Sequence, residues 1–186
     1  MIDIIIVKYN RRDLEDKCIE SVLKHTDVNY HLTIFDNYIT DYPLTKLWND
    51  LIEKSDSEYI CLLNNDTLVE EGWIEKMLEV FEKEDNVGLV GPIPTRYDWS
   101  EGKMTSVKEY EVNVVNHVSF FCAVFKKSLW EKMGKLDENF PFVKQDVEFN
   151  RAVRKTGMKP MIRRDVRVAH FKHGSWEEAR KKGKKI

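Results

Sequence analysis

The chain has no apolar run that approaches the ~18 residues a membrane-spanning helix needs. Its first apolar stretch, residues 4–7, is too short for a secretory leader, and no small-residue cleavage site follows it. Cysteine is scarce. Cys18, Cys61 and Cys122 lie far apart and are odd in number, which argues against a disulfide framework or a metal knuckle. Three such residues fit buried thiols in a reducing compartment. A surplus of one charge is lacking as well: 30 Lys+Arg stand against 32 Asp+Glu, a net charge of −2. That balance disfavours a basic nucleic-acid-binding module. There is no internal repeat, and no low-complexity segment except a basic tail at residues 180–185. What is present suffices for a core: 42% of the 186 residues are apolar and 11% aromatic, enough for one domain of ordinary size.

The apolar pattern alternates between strands and helices. Residues 2–7 read as a buried strand that ends at Tyr9-Asn10, where Asn10 is placed to cap the next helix. Leu14, Cys18, Ile19, Val22 and Leu23 follow at helical spacing. Residues 32–35 form a second strand that ends at Asp36-Asn37. Leu44, Leu47, Trp48, Leu51 and Ile52 mark an amphipathic helix. Residues 59–63 make a third strand, which ends at Asn64-Asn65-Asp66. A helix around Trp73–Phe81 and a strand at residues 87–90 complete the series. Such alternation predicts an α/β fold with a mostly parallel central sheet flanked by helices. Ligands of such sheets bind beyond the carboxyl ends of the strands. The second half is less regular. It predicts a loop or hairpin excursion at 95–112, a strand at 118–125, and a short helix closed by Gly134. A helix at 146–156 and a last strand at 166–169 follow.

Polar residues collect at the strand ends. Asp66 is a hard oxygen ligand of the kind Mg²⁺ and Mn²⁺ prefer, with two amides beside it. Asp36 is placed to accept hydrogen bonds from a base or ribose. Taken alone, each also reads as an ordinary turn or cap residue. Asp146 and Glu148 stand at a helix start, two residues apart, so at most one points into a given site; a carboxylate there can act as general base. His170 and His173 follow the last strand and read either as surface histidines or as ligands of a cation or phosphate.

The motifs that carry a resemblance stand in order. Ile4-Ile5-Ile6-Val7-Lys8-Tyr9-Asn10-Arg11 is similar to a start of the form I-I-I-V-T-Y-N-R. Asp36-Asn37-Tyr38-Ile39-Thr40-Asp41 is similar to D-N-G-S-T-D. Residues 58–67, ending Asn64-Asn65-Asp66-Thr67, resemble a variant of the D-x-D metal motif. Leu136-Asp137-Glu138-Asn139-Phe140, Gln145-Asp146-Val147-Glu148 and the segment from Val168-Ala169-His170 to Gly174-Ser175 follow. Together they resemble the family 2 glycosyltransferases of the GT-A fold, in particular the rhamnosyltransferase-like branch. The likeness covers residues 2 to about 175, leaving 176–186 as a basic tail.

The resemblance implies a GT-A (Rossmann-like) domain over residues 1–175. It implies transfer of a sugar from a nucleoside-diphosphate sugar of UDP, dTDP or GDP type. The acceptor hydroxyl would belong to a glycan, a lipid-linked molecule or another compound. The mechanism would be single displacement with inversion, assisted by Mn²⁺ or Mg²⁺. Tyr9, Asn10, Asp36, Asn49, Asn64 and Asn65 would line the nucleotide-sugar cleft. Asp66 and His170 would hold the metal, and Asp146 would be the general base. A cytoplasmic location is expected, with the tail making peripheral contact with an anionic surface at the inner membrane face.

Several positions depart from the pattern. Lys8 replaces Thr, Tyr38-Ile39 replace Gly-Ser, bulky Phe120-Phe121 stand where a small residue is usual, and Gln145 replaces the first acid of its pair. These departures support an alternative, a nucleotide-sugar-binding protein that keeps the fold and lacks transfer. A nucleotidyltransferase would want a glycine-rich phosphate loop after the first strand, and Asn10-Arg11-Arg12-Asp13 has no glycine.

Overall fold

The computed structural model describes residues 1–10, 12–95, 97–98, 103–104 and 111–171. The first half runs β1 (Ile2–Lys8), α1 (Arg12–His25), β2 (Tyr30–Asp36), α2 (Asn37–Thr40), α3 (Leu44–Lys54), β3 (Tyr59–Asn64), β4 (Thr67–Val69), α4 (Trp73–Lys83) and β5 (Val87–Gly91). The second half runs β6 (Pro94–Thr95), β7 (Tyr97–Asp98), β8 (Lys103–Met104), β9 (Val112–Val114), β10 (Cys122–Lys126), α5 (Lys127–Met133), α6 (Gln145–Lys155), β11 (Lys159–Arg163) and β12 (Val168–His170).

Seven strands form the main sheet in the order β2-β1-β3-β10-β5-β11-β9. The pairings β1–β2, β1–β3 and β5–β11 are parallel; those of β10 with β3 and β5, and of β9 with β11, are antiparallel. Five strands therefore share one direction and the sheet is mixed, because β10 and β9 run against the rest. The α/β class is as expected.

Both faces of the sheet are covered, so its central strands read as continuous apolar runs rather than alternating ones. Ile4 and Ile6 pack with Cys18 and Val22 of α1 and with Trp73 and Met77 of α4. Ile5 and Leu62 face the other way, onto Trp48 of α3, Trp130 of α5 and Phe149 of α6. All three cysteines are free and buried, as their number suggested.

Other expectations are corrected. Asn10 does not cap α1: it has a φ of 57° and precedes a helix that begins at Arg12. Leu23 is exposed, and Glu15 takes a place in the buried face of α1 instead. The strand expected from residue 118 begins only at Cys122. Val118 N–H donates to Asn150 Oδ1 and its carbonyl accepts from Asn150 Nδ2, each at 2.8 Å, so a side chain of α6 takes the bonds a strand would use. Strand β11 lies where the sequence reading placed no strand; it contains Pro160, and the register shifts between Lys159 and Pro160, so the proline sits at an irregularity.

The tail, residues 176–186, His173 and most of the 95–112 excursion lie outside the described residues; within the excursion β7 pairs antiparallel with β8, a hairpin. Among the described residues no helix is long and apolar enough to cross a membrane.

Gly91 ends β5 where three segments meet. A Cβ there would lie 2.5 Å from Val118 Cγ1 and 2.8 Å from the Cys122 carbonyl oxygen. Backbone cannot yield as a flexible side chain does, so Gly91→Ala is expected to lower stability by about 1–3 kcal/mol, read as a fall in the urea midpoint at constant slope.

Candidate functional site

Parallel pairing aligns the carboxyl ends of the first three strands. Lys8 lies opposite Asp36, and Val7 opposite Asn64. The reversed β10 brings its entry segment, residues 117–121, to the same edge; Asn64 N–H donates to the Phe121 carbonyl at 2.8 Å. A second sheet, β4-β12-β6, completes the edge. The sequence suggested a strand-to-helix turn after Asn64, but residues 65–66 turn into β4. Antiparallel pairing of β4 with β12 sets His170 opposite Thr67, next to Asp66.

That pairing explains a polar contact between residues far apart in the chain. His170 Nε2 lies 3.3 Å from Asp66 Oδ1 and 3.4 Å from Asn64 Nδ2. The Asp66 side chain is 5% exposed and that of His170 15%. Asp66 Oδ1 and His170 Nδ1 are nonetheless buried with no hydrogen-bond partner among the described residues. Phe121 stacks on His170, with ring centres 4.9 Å apart and planes 10° from parallel. The bulk of Phe121 thus orients the imidazole, while Phe120 turns into the core against Trp48 and Phe149. Beneath the turn, Thr67 Oγ1 donates to the Asn64 carbonyl at 2.8 Å and Cys18 Sγ lies 3.4 Å from Thr67 Oγ1. Burial pushes the Cys18 thiol up to about 11, so it supports the turn as a neutral group and is not a nucleophile.

A residue that sequence reasoning missed joins the remaining groups. Glu15 is 2% exposed, and its Oε1 accepts hydrogen bonds from Tyr9 N–H and Asn65 Nδ2, both at 2.9 Å. Its Oε2 lies 3.6 Å from Lys8 Nζ. The signal available was a carboxylate on the buried side of an otherwise apolar helix face. Tyr9 donates its hydroxyl to Asp41 Oδ1 at 2.8 Å and meets Tyr38 edge-on at 5.7 Å. Asp36 is exposed and caps α2 by accepting from Tyr38 N–H at 3.1 Å, which fits the turn reading of that residue. Asn10 is exposed at the same strand end.

Asp146 begins the first turn of α6. Its Oδ2 lies 3.3 Å from Nε2 of His117, a second residue that sequence reasoning missed, and its Oδ1 accepts from Val147 N–H at 2.9 Å. The pair is open, with side-chain exposures of 24% for Asp146 and 43% for His117.

Asn49 is engaged elsewhere. Its amide nitrogen donates to the Leu136 carbonyl and to Glu138 Oε1, while its oxygen accepts from Trp130 Nε1 and Leu136 N–H. All four hydrogen-bonding positions of the amide are taken by the chain itself. The structure thus brings Asn64, Asp66 and His170 into one group, joins Tyr9 and Asn65 to it through Glu15, and spends Asn49 on holding α3 to the segment after α5.

The sequence profile of a glycosyltransferase-like family matches residues 4–159, most of the chain and the edge just described apart from β12 with His170. The chain belongs to this glycosyltransferase-like family. Solved structures agree on the fold. GalNAc-T7, determined with UDP, GalNAc and Mn²⁺, superposes with a TM-score of 0.73 at 12% identity. The mannosyltransferase PcManGT of Pyrobaculum calidifontis, in complex with GDP-Man and Mn²⁺, gives 0.70 at 14%. Each match covers 94% of this glycosyltransferase-like chain, but 44% of the first neighbour and 58% of the second. These likenesses establish a GT-A-like fold. The comparison with curated proteins found no match.

Asn49 supplies a test that separates structure from binding. Asn49→Ala leaves one buried acceptor, the Leu136 carbonyl, and two buried donors, Trp130 Nε1 and Leu136 N–H, unpaired and is expected to cost about 3 kcal/mol of stability. In the folded variant, nucleotide affinity measured by calorimetry is expected to equal that of the wild type.

Proposed function

We propose that this protein is a metal-dependent, inverting glycosyltransferase. It would move a sugar from a nucleoside-diphosphate sugar of UDP, dTDP or GDP type to an acceptor hydroxyl. The observation that carries the reading is the Asp66–His170 pair: a buried carboxylate oxygen with no hydrogen-bond partner among the described residues, 3.3 Å from an imidazole nitrogen, at the carboxyl edge of the sheet. A hard oxygen beside an imidazole suits Mn²⁺, and Mg²⁺ accepts the oxygen. Two protein ligands suffice where phosphate oxygens supply others. The donor set therefore fits the group. Both solved neighbours carry Mn²⁺ with a nucleotide or nucleotide sugar, which supports the same reading.

In this reading Asp66 and His170 hold the cation. When bound, it would neutralise charge on the diphosphate and so make it a better leaving group. Asn64, tied to His170 Nε2, stands beside that position. Tyr9 and Asp36 mark the part of the edge left for the nucleoside. An acceptor hydroxyl is a poor nucleophile and needs a base. Asp146 takes that role: its Oδ1 is fixed by Val147 N–H, and His117 steadies Oδ2. The carboxylate would accept the hydroxyl proton as the new bond forms at the anomeric carbon, opposite the leaving diphosphate. The acceptor, whether glycan, lipid-linked or otherwise, meets the more open side of the site, where Asp146 and His117 are partly exposed. A cytoplasmic protein touching an anionic surface through its basic tail accords with this reading.

Calorimetry with UDP, GDP and dTDP, with and without Mn²⁺, tests the donor half. Metal-dependent binding of one nucleotide is expected, with affinity at least ~10-fold lower in Asp66→Ala and in His170→Ala. Wild-type binding that is equal with and without Mn²⁺ would contradict the metal role. Asp146→Asn tests the chemical half: unchanged nucleotide binding with transfer reduced by about 10²-fold or more. Wild-type protein that binds nucleotide sugar but transfers to no acceptor in a broad screen would favour the binding-protein alternative.

A further inference from the structure

Helical spacing makes position 15 a place for an apolar side chain, on the flank of the face formed by Leu14, Cys18 and Val22. The chain puts a carboxylate there and buries it to 2% exposure. Burying a charge is costly unless it is well partnered. Glu15 meets that condition through two segments far apart in sequence: Tyr9 N–H after β1, and Asn65 Nδ2 in the turn that carries Asp66. Both bonds end on the same oxygen, and the other oxygen faces Lys8 Nζ at 3.6 Å. The first turn of α1 adds the favourable end of the helix dipole. If stability alone were at stake, an apolar residue of similar volume would serve as well or better. What such a residue could not do is fix the distance between the end of β1 and the 65–66 turn.

We propose that Glu15 is a positioning residue that locks the metal-bearing turn to the end of β1. Cation and nucleotide would then meet a preformed cradle, though Glu15 touches neither. The inference rests on the donor-binding reading above and adds to it the residue that holds its two halves in register. It also gives Lys8 a place: the ammonium is tethered to the edge by Glu15 rather than left free in solvent.

The test uses the full chain with Glu15→Leu, which fills the space without the contacts, and Glu15→Gln, which keeps an oxygen to accept both N–H groups. Hydrogen exchange over residues 62–68 is measured without ligand, alongside melting temperature and Mn²⁺-dependent affinity for whichever of UDP, GDP or dTDP the wild type binds. The Leu variant is expected to melt no lower than the wild type. It should exchange faster at residues 64–67 and lose at least ~10-fold in metal-dependent affinity, the size typical of partners that orient metal ligands. The Gln variant should stay within about threefold of the wild type, since most of the positioning geometry is kept. Wild-type affinity in the Leu variant, or a Gln variant as weak as the Leu variant, would overturn the proposal. If the Leu variant fails to fold, Asn65→Ala removes the other half of the contact and must show the same faster exchange. If the wild type binds no nucleotide, the donor-binding reading falls, and exchange alone decides the lock: unchanged exchange at residues 64–67 would overturn it.

Discussion

Asp66 places a carboxylate oxygen out of water with an imidazole nitrogen 3.3 Å away and no hydrogen-bond partner among the described residues. A buried polar group left so poorly partnered is costly, so the surroundings must hold it in place. They do so from several directions. Strand β3 delivers the turn, and β12 pairs with β4 so that His170 faces it. The reversed β10 delivers Phe121, whose ring fixes the plane of the imidazole and whose carbonyl accepts from Asn64 N–H. The short β4–β12 ladder brings Asp66 and His170, more than a hundred residues apart, to within 3.3 Å.

A second buried carboxylate stands nearby and behaves differently. Glu15 accepts two hydrogen bonds at 2.9 Å and faces a lysine. The contrast separates the two by chemistry rather than by position. The carboxylate whose needs are met by the chain belongs to the scaffold. The one whose oxygen has no hydrogen-bond partner among the described residues is, on the proposed reading, the one that takes an external cation. Both lie at one sheet edge, and Asn65 bonds to the first while preceding the second in sequence.

Much of this was legible in the sequence because period and order are local signals. The isoleucines of β1, the helix stripe at Leu44, Leu47, Trp48, Leu51 and Ile52, and the strand ending in Asn64-Asn65-Asp66 are each visible within a dozen residues. Other features were hidden because they depend on distant partners. Strand β4 has three residues and no period to read; it exists because β12 pairs with it. Strand β11 contains a proline that local reasoning counts against it, yet a register shift accommodates the ring. Residues 118–121 are apolar enough for a strand, but Asn150 captures the backbone of Val118 first. Asn49 fell at a position associated with nucleotide binding, while its four hydrogen bonds all reach residues more than eighty positions later in the chain. No pattern within a helix reveals such a partner.

On the proposed reading the site has two halves that differ in how firmly they are built, and the difference follows from topology. Parallel strands β1 and β3 end together, and Tyr9 and Asn65, which follow them, are both tied to α1 through Glu15. Asn65 and Asp66 are buried, and Tyr9 is nearly so. The half proposed for the acceptor comes instead from the entry to β10 and the start of α6, where His117 and Asp146 meet with both side chains partly exposed. On the proposed reading this asymmetry suits the chemistry. A nucleoside diphosphate presents the same charged group whatever sugar it carries, and a rigid, buried pair of ligands can be matched to it. An acceptor hydroxyl varies with the molecule that bears it, and one scaffold serves many such molecules by changing its open side. The basic machinery then resides in a carboxylate–imidazole pair fixed by strand pairing, while selectivity falls to the exposed segments around Asp146, whose side chains can vary at little cost to the core.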